Sequence, residues 1–206
     1  MINKKYFSIV IAITIVLIVF SYFYLDQTAA WWCHENISES YKKIFKIITE
    51  FGNSIYYLIG FALAFLFFHF FWKNPKWANI SGFLFASVAI SGIVVDIIKV
   101  IAGRYRPSEL FEHGDYGFTF FHIHRAMTSF PSGHAATVFS LAMAVTYFWP
   151  RWSLLVWICA LLIGISRVVI NAHYPSDIIA GVFIGVFSTL LLIRYYRIKI
   201  PTYSES

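Results

Sequence analysis

Residues 131–177 read PSGHAATVFSLAMAVTYFWPRWSLLVWICALLIGISRVVINAHYPSD, and the two apolar runs in this stretch decide the fold. Each run is about 20 residues long, the length an α-helix needs to cross a bilayer core. Only Pro150-Arg151 separates them, so they must form an antiparallel hairpin. Pro131 then neighbours Val169, and the short connection from Ile170 to Ser176 brings the start of a further apolar run to the same face.

Working outward, the sequence predicts six spans, at about Tyr6–Leu25, Ser54–Trp72, Asn79–Ile101, Pro131–Trp149, Trp152–Val169 and Asp177–Tyr195. The fold class expected is all-α, a six-transmembrane-helix bundle in which residues 1–206 form a single domain. Composition agrees: 59% of residues are hydrophobic and 13% charged, against about 45–50% and about 25% in soluble domains. That balance excludes a soluble globular enzyme and a disordered regulator. The net charge of +6 is spread thinly between apolar runs, which argues against a nucleic-acid partner. Cys33 and Cys159 are too few for a disulfide scaffold. Lys4 and Lys5 precede the first apolar run as in a signal peptide, but the run exceeds the 7–15 residues of a signal core. It is read as a retained span.

Lys and Arg in short flanks set orientation. Lys4, Lys5, Lys73, Lys76, Arg151, Arg194, Arg197 and Lys199 fall on one side almost without acids. Lys42, Lys43, Lys46, Arg104 and Arg125 fall in two long loops with Asp26, Glu35, Glu39, Glu50, Glu109, Glu112 and Asp115. Both termini are therefore expected in the cytoplasm and the loops outside. Ile44, Ile47, Ile48 and Phe51 recur at helical spacing opposite Lys42, Lys43, Lys46 and Glu50. This predicts a periplasmic interfacial amphipathic helix anchored by Trp31 and Trp32; a cover packed on the bundle is compatible with the same pattern.

Ionisable groups within spans are costly, about 2.5–3.5 kcal/mol each on insertion scales, and mark function by default. Here Asp96, Lys99, Arg104 and Arg106 surround the outer end of the third span, His134 opens the fourth, Arg167 ends the fifth, and His173 and Asp177 enter the sixth. The connectivity gathers them at one surface. Singly, each has a plainer reading: Asp177 as a dipole-favoured helix start, His134 as a capping histidine, Arg167 as a snorkelling cation, and Asp96 with Lys99 as an i, i+3 pair. Together, the cations Lys99, Arg106 and Arg167 and the Pro131-Ser132-Gly133-His134 helix start suit a tetrahedral oxyanion. Two histidines supply a nucleophile and a proton donor, and Asp177 stands four residues from His173 to orient it.

These residues resemble a known family. Lys99-x6-Arg106-Pro107, Pro131-Ser132-Gly133-His134 and Ser166-Arg167-x5-His173-x3-Asp177 are similar to the three-part signature of the type 2 phosphatidic acid phosphatase superfamily. The resemblance implies a metal-independent lipid phosphate phosphatase with no cofactor. His173 would be the nucleophile, Asp177 its orienter and His134 the acid for the leaving group. Lys99, Arg106, Arg167, Ser132 and Gly133 would bind phosphate, and vanadate would inhibit. Lipid A or undecaprenyl pyrophosphate is the favoured substrate, with phosphatidylglycerol phosphate and phosphatidic acid also open. No obligate protein partner is expected beyond the bilayer and its lipid. Arg104 and Arg125 are candidates for headgroup contact, and the 108–130 loop for a headgroup-selecting lid or, equally, a packed loop. His122 and His124 lack further ligands for a metal. The site is expected at the outer face of a bacterial inner membrane. A transporter or anion channel for a phosphorylated solute is the alternative.

Overall fold

Helix ends fall where short polar side chains, prolines and glycines place them. Asn74 accepts from the Trp77 amide at 3.3 Å ahead of Pro75, opening α5 (Pro75–Ala102). Gly103 closes it in the left-handed region at φ 56°, where a Cβ would lie 2.7 Å from the Phe120 nitrogen. Ser132 caps α7 (Gly133–Phe148), and Pro175 is the first residue of α9 (Pro175–Lys199). The structure, a computed structural model, describes the backbone of residues 4–199 and the side chains of residues 6–196. The side chains of Lys4, Lys5, Arg197 and Lys199, part of the argument for orientation, lie outside the described residues.

The remaining helices are α1 (Lys4–Phe20), α2 (Asp26–Asn36), α3 (Glu39–Glu50), α4 (Ser54–Leu66), α6 (Pro107–His113) and α8 (Ser153–Val169). Wide π turns, Ser21–Leu25 and Phe67–Phe71, continue α1 into α2 and extend α4. Among the described residues the only strand-like pairing is a single bridge between Arg104 and Phe118. The chain is thus all-helical, as its apolar periodicity predicts.

Among the described residues five stretches are long and apolar enough to cross a membrane: Tyr6–Asn36, Glu39–Phe71, Pro75–Ala102, Pro150–Val169 and Pro175–Tyr196. The predicted fourth span differs. It is the 16-residue helix α7, about 24 Å long and short of an about 30 Å hydrocarbon core. The first predicted span also differs, because its helix runs past Leu25 to Asn36 instead of ending before the acid at 26. Asp26 is fully buried among hydrogen-bonding partners and does not break the helix.

The short α7 is the centre of the bundle, with Ala135 to Ser140 buried without interruption and α5, α8 and α9 packed about it. Lipid tails are as apolar as leucine, so close van der Waals packing has to hold such helices together. Small residues make it possible. Gly181 and Gly185 of α9 face Ser132, Ala135, Ala136 and Ser140; a Cβ on Gly181 would lie 2.5 Å from the Ser132 carbonyl oxygen. Deeper in the bundle, Ser87, Ser140 and Thr189 join α5, α7 and α9 through hydroxyl bonds.

The amphipathic α3 packs along α8, with Ile48 against the apolar core and Thr49 buried. Ile44, Ile47 and Phe51 remain exposed. Its polar face is narrower than expected, because Lys42 turns inward, 13% exposed, and pairs with Glu39 at 3.1 Å.

Candidate active site

Four chain segments meet above the start of α7. The end of α5 brings Lys99 and, just beyond, Arg104 and Arg106. The 125–130 segment leads into the Ser132 cap. Arg167 closes α8, and the 170–174 loop delivers His173 to the head of α9.

Asp177 is the hub. Its Oδ2 accepts from the Ser129 hydroxyl at 2.6 Å and from the Tyr174 amide at 2.9 Å, with His173 Nδ1 at 3.5 Å. The bond from Tyr174 arises locally: three residues into the helix, Asp177 reaches back to the residue before Pro175 as in a capping box. The same geometry fixes His173 four residues earlier. Burial pushes the His173 imidazole well below its ordinary pKa, while the Asp177 hydrogen bond pulls the other way. A neutral ring whose one nitrogen faces a carboxylate leaves the other nitrogen as a nucleophile.

The cations converge on this pair. Lys99 Nζ donates to the Thr128 carbonyl at 2.7 Å, and Arg106 Nη2 donates to the same oxygen at 3.3 Å. Arg106 is clamped further by the Arg125 and Ala172 carbonyls, at 2.8 and 3.0 Å. Arg167 Nη1 donates to Thr49 Oγ1 at 2.9 Å, and its buried Nε has no protein partner. The charges of Arg167, Lys99 and Arg106 all act on His134, and those of Lys99 and Arg106 on His173. Ser132 spans the two halves: its amide donates to the Asp177 backbone carbonyl at 3.0 Å, and its hydroxyl accepts from Ala135 at 3.5 Å. Its neighbour Gly133 is the first residue of α7, and free amides at such a terminus favour an anion.

Arg104 does not fit the headgroup role expected of it. Its side chain is fully buried, with Nη1 bound to Asp177 Oδ1 at 2.5 Å and Nη2 to Asp26 Oδ2 at 2.6 Å. Burial opposes its charge, but Asp177 and Asp26 more than offset that and raise its pKa. Four rings enclose it, with Tyr174 nearest at 4.5 Å. Arg125, by contrast, is exposed beside Arg106. The 108–130 segment is packed over part of its length: Phe120 and Phe121 amides bond the Ala102 and Ile101 carbonyls at the end of α5. Phe121 and Ile123 nevertheless stay largely exposed.

The motifs did not reveal Ser129, Asp26, Thr49 or Gly52. Thr49 and Gly52 come from the end of α3, where a Cβ at 52 would lie 2.9 Å from His134 Cδ2. Among the described residues no three His, Cys, Asp or Glu side chains converge to hold a metal.

A helical bundle with apolar spans, and with a histidine beside a buried carboxylate and three cations gathered at one end, defines the class: a multi-pass membrane protein with a charged site at one end of its helices. The chain belongs to the PAP2 superfamily, whose family model matches residues 81–201. It is 42% identical over 119 residues to a lipid A 1-phosphatase of Rhizobium etli, covering 57% of this chain and 51% of that protein. It is 34% identical over 160 residues to a lipid A 1-phosphatase of Rhizobium johnstonii, covering 73% and 66%. The chain thus spans about half to two thirds of these relatives. The crystal structure of Aquifex aeolicus LpxE shares the fold, with a TM-score of 0.63 over 83% of this chain and 96% of that one at 20% identity.

Proposed function

We propose that the protein removes a phosphate from a membrane lipid without a metal, through a phosphohistidine on His173. The observation that carries this reading is the meeting of His173, held by Asp177, with Lys99, Arg106 and Arg167 at the head of α7. His173 Nε2 attacks phosphorus while the bond to the leaving oxygen breaks, and His134 gives that oxygen a proton. Water then attacks the phosphohistidine and gives up a proton to His134. The histidine–phosphorus bond breaks and inorganic phosphate leaves. Lys99, Arg106, Arg167, Ser132 and the Gly133 amide hold the non-reacting oxygens, over which the charge of the transferred group is spread in the transition state.

The reading extends to the membrane. Counting α7 with the five longer stretches gives six crossings, with both termini in the cytoplasm and the site at the outer face of a bacterial inner membrane. Along this face α3 would lay Ile44, Ile47 and Phe51 into the lipid. The lipid A 1-phosphatase relatives support a lipid phosphate as substrate, and lipid A is favoured ahead of undecaprenyl pyrophosphate.

The test is phosphate release by the purified protein in excess EDTA. The panel is lipid A, undecaprenyl pyrophosphate, phosphatidylglycerol phosphate and phosphatidic acid, with His173→Ala in parallel. Release that survives EDTA and disappears in the variant supports the mechanism. Loss of activity in EDTA overturns the metal-free step. Silence on every lipid from folded protein overturns the phosphatase reading and directs attention to solute flux in liposomes.

A further inference from the structure

Asp26 lies far from the signature motifs, ahead of the 81–201 segment that carries the family match, yet it is fully buried against them. The wide π turn at Ser21–Leu25 lets Ser21 Oγ donate to Asp26 Oδ1 at 2.8 Å. The remaining donors all come from the catalytic end of the bundle. The Ser176 amide reaches Oδ1 at 3.0 Å, the Ser176 hydroxyl reaches Oδ2 at 2.5 Å, and Arg104 Nη2 reaches Oδ2 at 2.6 Å. Arg104 carries the connection onward, its Nη1 donating to Ser176 Oγ at 2.6 Å and to Asp177 Oδ1 at 2.5 Å.

We propose that Asp26 is a positioning residue for the nucleophile, acting through Arg104 and Ser176 on Asp177. The inference rests on the phosphatase reading above. Two effects follow from the geometry. By binding the Ser176 amide and hydroxyl, Asp26 fixes the first turn of α9, and with it the orientation of the next residue, Asp177. By sharing Arg104, it also sets how much of that one positive charge falls on Asp177. With two carboxylates on one guanidinium the buried cluster keeps a net negative charge. Asp177 can then hold the His173 ring and stabilise the charge that develops on it as the nitrogen attacks. Without the Asp26 charge, Arg104 would bind Asp177 alone and weaken it as an acceptor. The first apolar stretch, Tyr6–Asn36, would therefore belong to the catalytic apparatus, although no signature residue lies on it.

The test is Asp26→Asn, which keeps the shape and removes the charge, assayed as full-length protein on the best lipid of the panel. Expected is a fall in kcat of at least about tenfold with KM within about twofold, because Lys99, Arg106 and Arg167 do not touch Asp26. The acid limb of the kcat/KM profile should also move to lower pH. The charged groups around His173 are Asp177, Lys99 and Arg106, with Arg104 behind Asp177, and the substitution takes a negative charge from that set. Wild-type kcat in a folded variant overturns the proposal, as does a loss of kcat and KM together that follows the melting temperature without moving the acid limb. If Asp26→Asn does not fold, Ser176→Ala decides: a lower kcat at unchanged KM supports the proposal and wild-type kcat overturns it. His173→Ala separates the two levels. If it stays active, or if wild-type protein releases no phosphate, the phosphatase reading fails and this inference falls with it.

Discussion

Gly52 lies against the ring of His134: a Cβ at position 52 would come within 2.9 Å of His134 Cδ2 and 2.8 Å of Ile163 Cγ2. The turn after α3 therefore sets the height of the proposed acid. Gly52→Ala should displace the His134 ring, because Ile163 blocks the other way out. Overpacking of this kind costs about 1–3 kcal/mol, and kcat should fall by about tenfold. Phosphate-release kinetics with a parallel melting curve check this. An unchanged kcat would show that the ring accommodates the methyl without cost.

Thr49 is the second link between α3 and the site, through its hydroxyl and Arg167 Nη1. Thr49→Val keeps the volume and removes the acceptor. Leaving a buried donor unpaired costs about 1–3 kcal/mol, and more when it is charged, so Arg167 should lose its fixed direction. KM for the lipid, and the inhibition constant for vanadate, should rise about five- to tenfold with a smaller change in kcat. Steady-state kinetics and vanadate titration measure both.

On the proposed mechanism His173 should make activity, as well as stability, depend on acid. Burial holds its pKa well below the ordinary 6.5, so it remains neutral in the folded protein where an unfolded histidine would already be charged. The unfolded state therefore binds the extra proton below about pH 6.5. The contribution of His173 to stability is complete above that pH and shrinks as the pH falls toward the folded value. Melting temperatures in detergent should stay level in this respect from pH 8 to 7 and decline below 6.5. His173→Asn should flatten the decline. The acid limb of kcat/KM should lie below pH 6.5, and a limb above it would mean a nucleophile charged at neutral pH.

The α7–α9 contact should be the least tolerant in the bundle. A side chain at Gly185 would run into the Ala136 carbonyl and the Ser140 nitrogen, both backbone atoms that cannot rotate away. Gly185→Ala should lower thermal stability by an amount corresponding to about 2 kcal/mol or more. Gly60, whose Cβ would meet nothing within 4 Å, should accept alanine without loss. The comparison is two melting curves in the same detergent.

What the sequence disclosed follows from distance along the chain. Lys99 and Arg106, the Ser132–His134 turn, and His173 with Asp177 are legible because each group is local and sits at a helix end whose connectivity can be read. In sequence Asp26 reads as a loop acid, and its partners Arg104 and Ser176 stand 78 and 150 residues away. No periodicity predicts such a contact. Arg104 misled for the same reason, since an arginine near a phosphate site looks like a ligand until its neighbours are known. The amphipathic pattern of α3 was legible, but not which edge would meet α8. Thr49 and Gly52 therefore passed unnoticed. The shortness of α7 was hidden because Pro131 and Trp149 look like part of its apolar run.

Arg125 is what remains of the headgroup reading once Arg104 is placed inside the protein. Its side chain is exposed, while its backbone carbonyl holds Arg106 Nε at 2.8 Å. A substitution at 125 can thus remove the side-chain charge and leave the Arg106 clamp intact. Arg125→Ala should raise KM for a lipid carrying a second anionic group, such as lipid A, by about fivefold. KM for phosphatidic acid should stay within about twofold, because on the proposed reading its single phosphate is held by Lys99, Arg106 and Arg167. The effect should weaken as salt rises, since an exposed charge is screened within about 10 Å at 0.1 M. Equal losses on both lipids would assign Arg125 to the phosphate site itself, and no loss on either would remove it from substrate recognition.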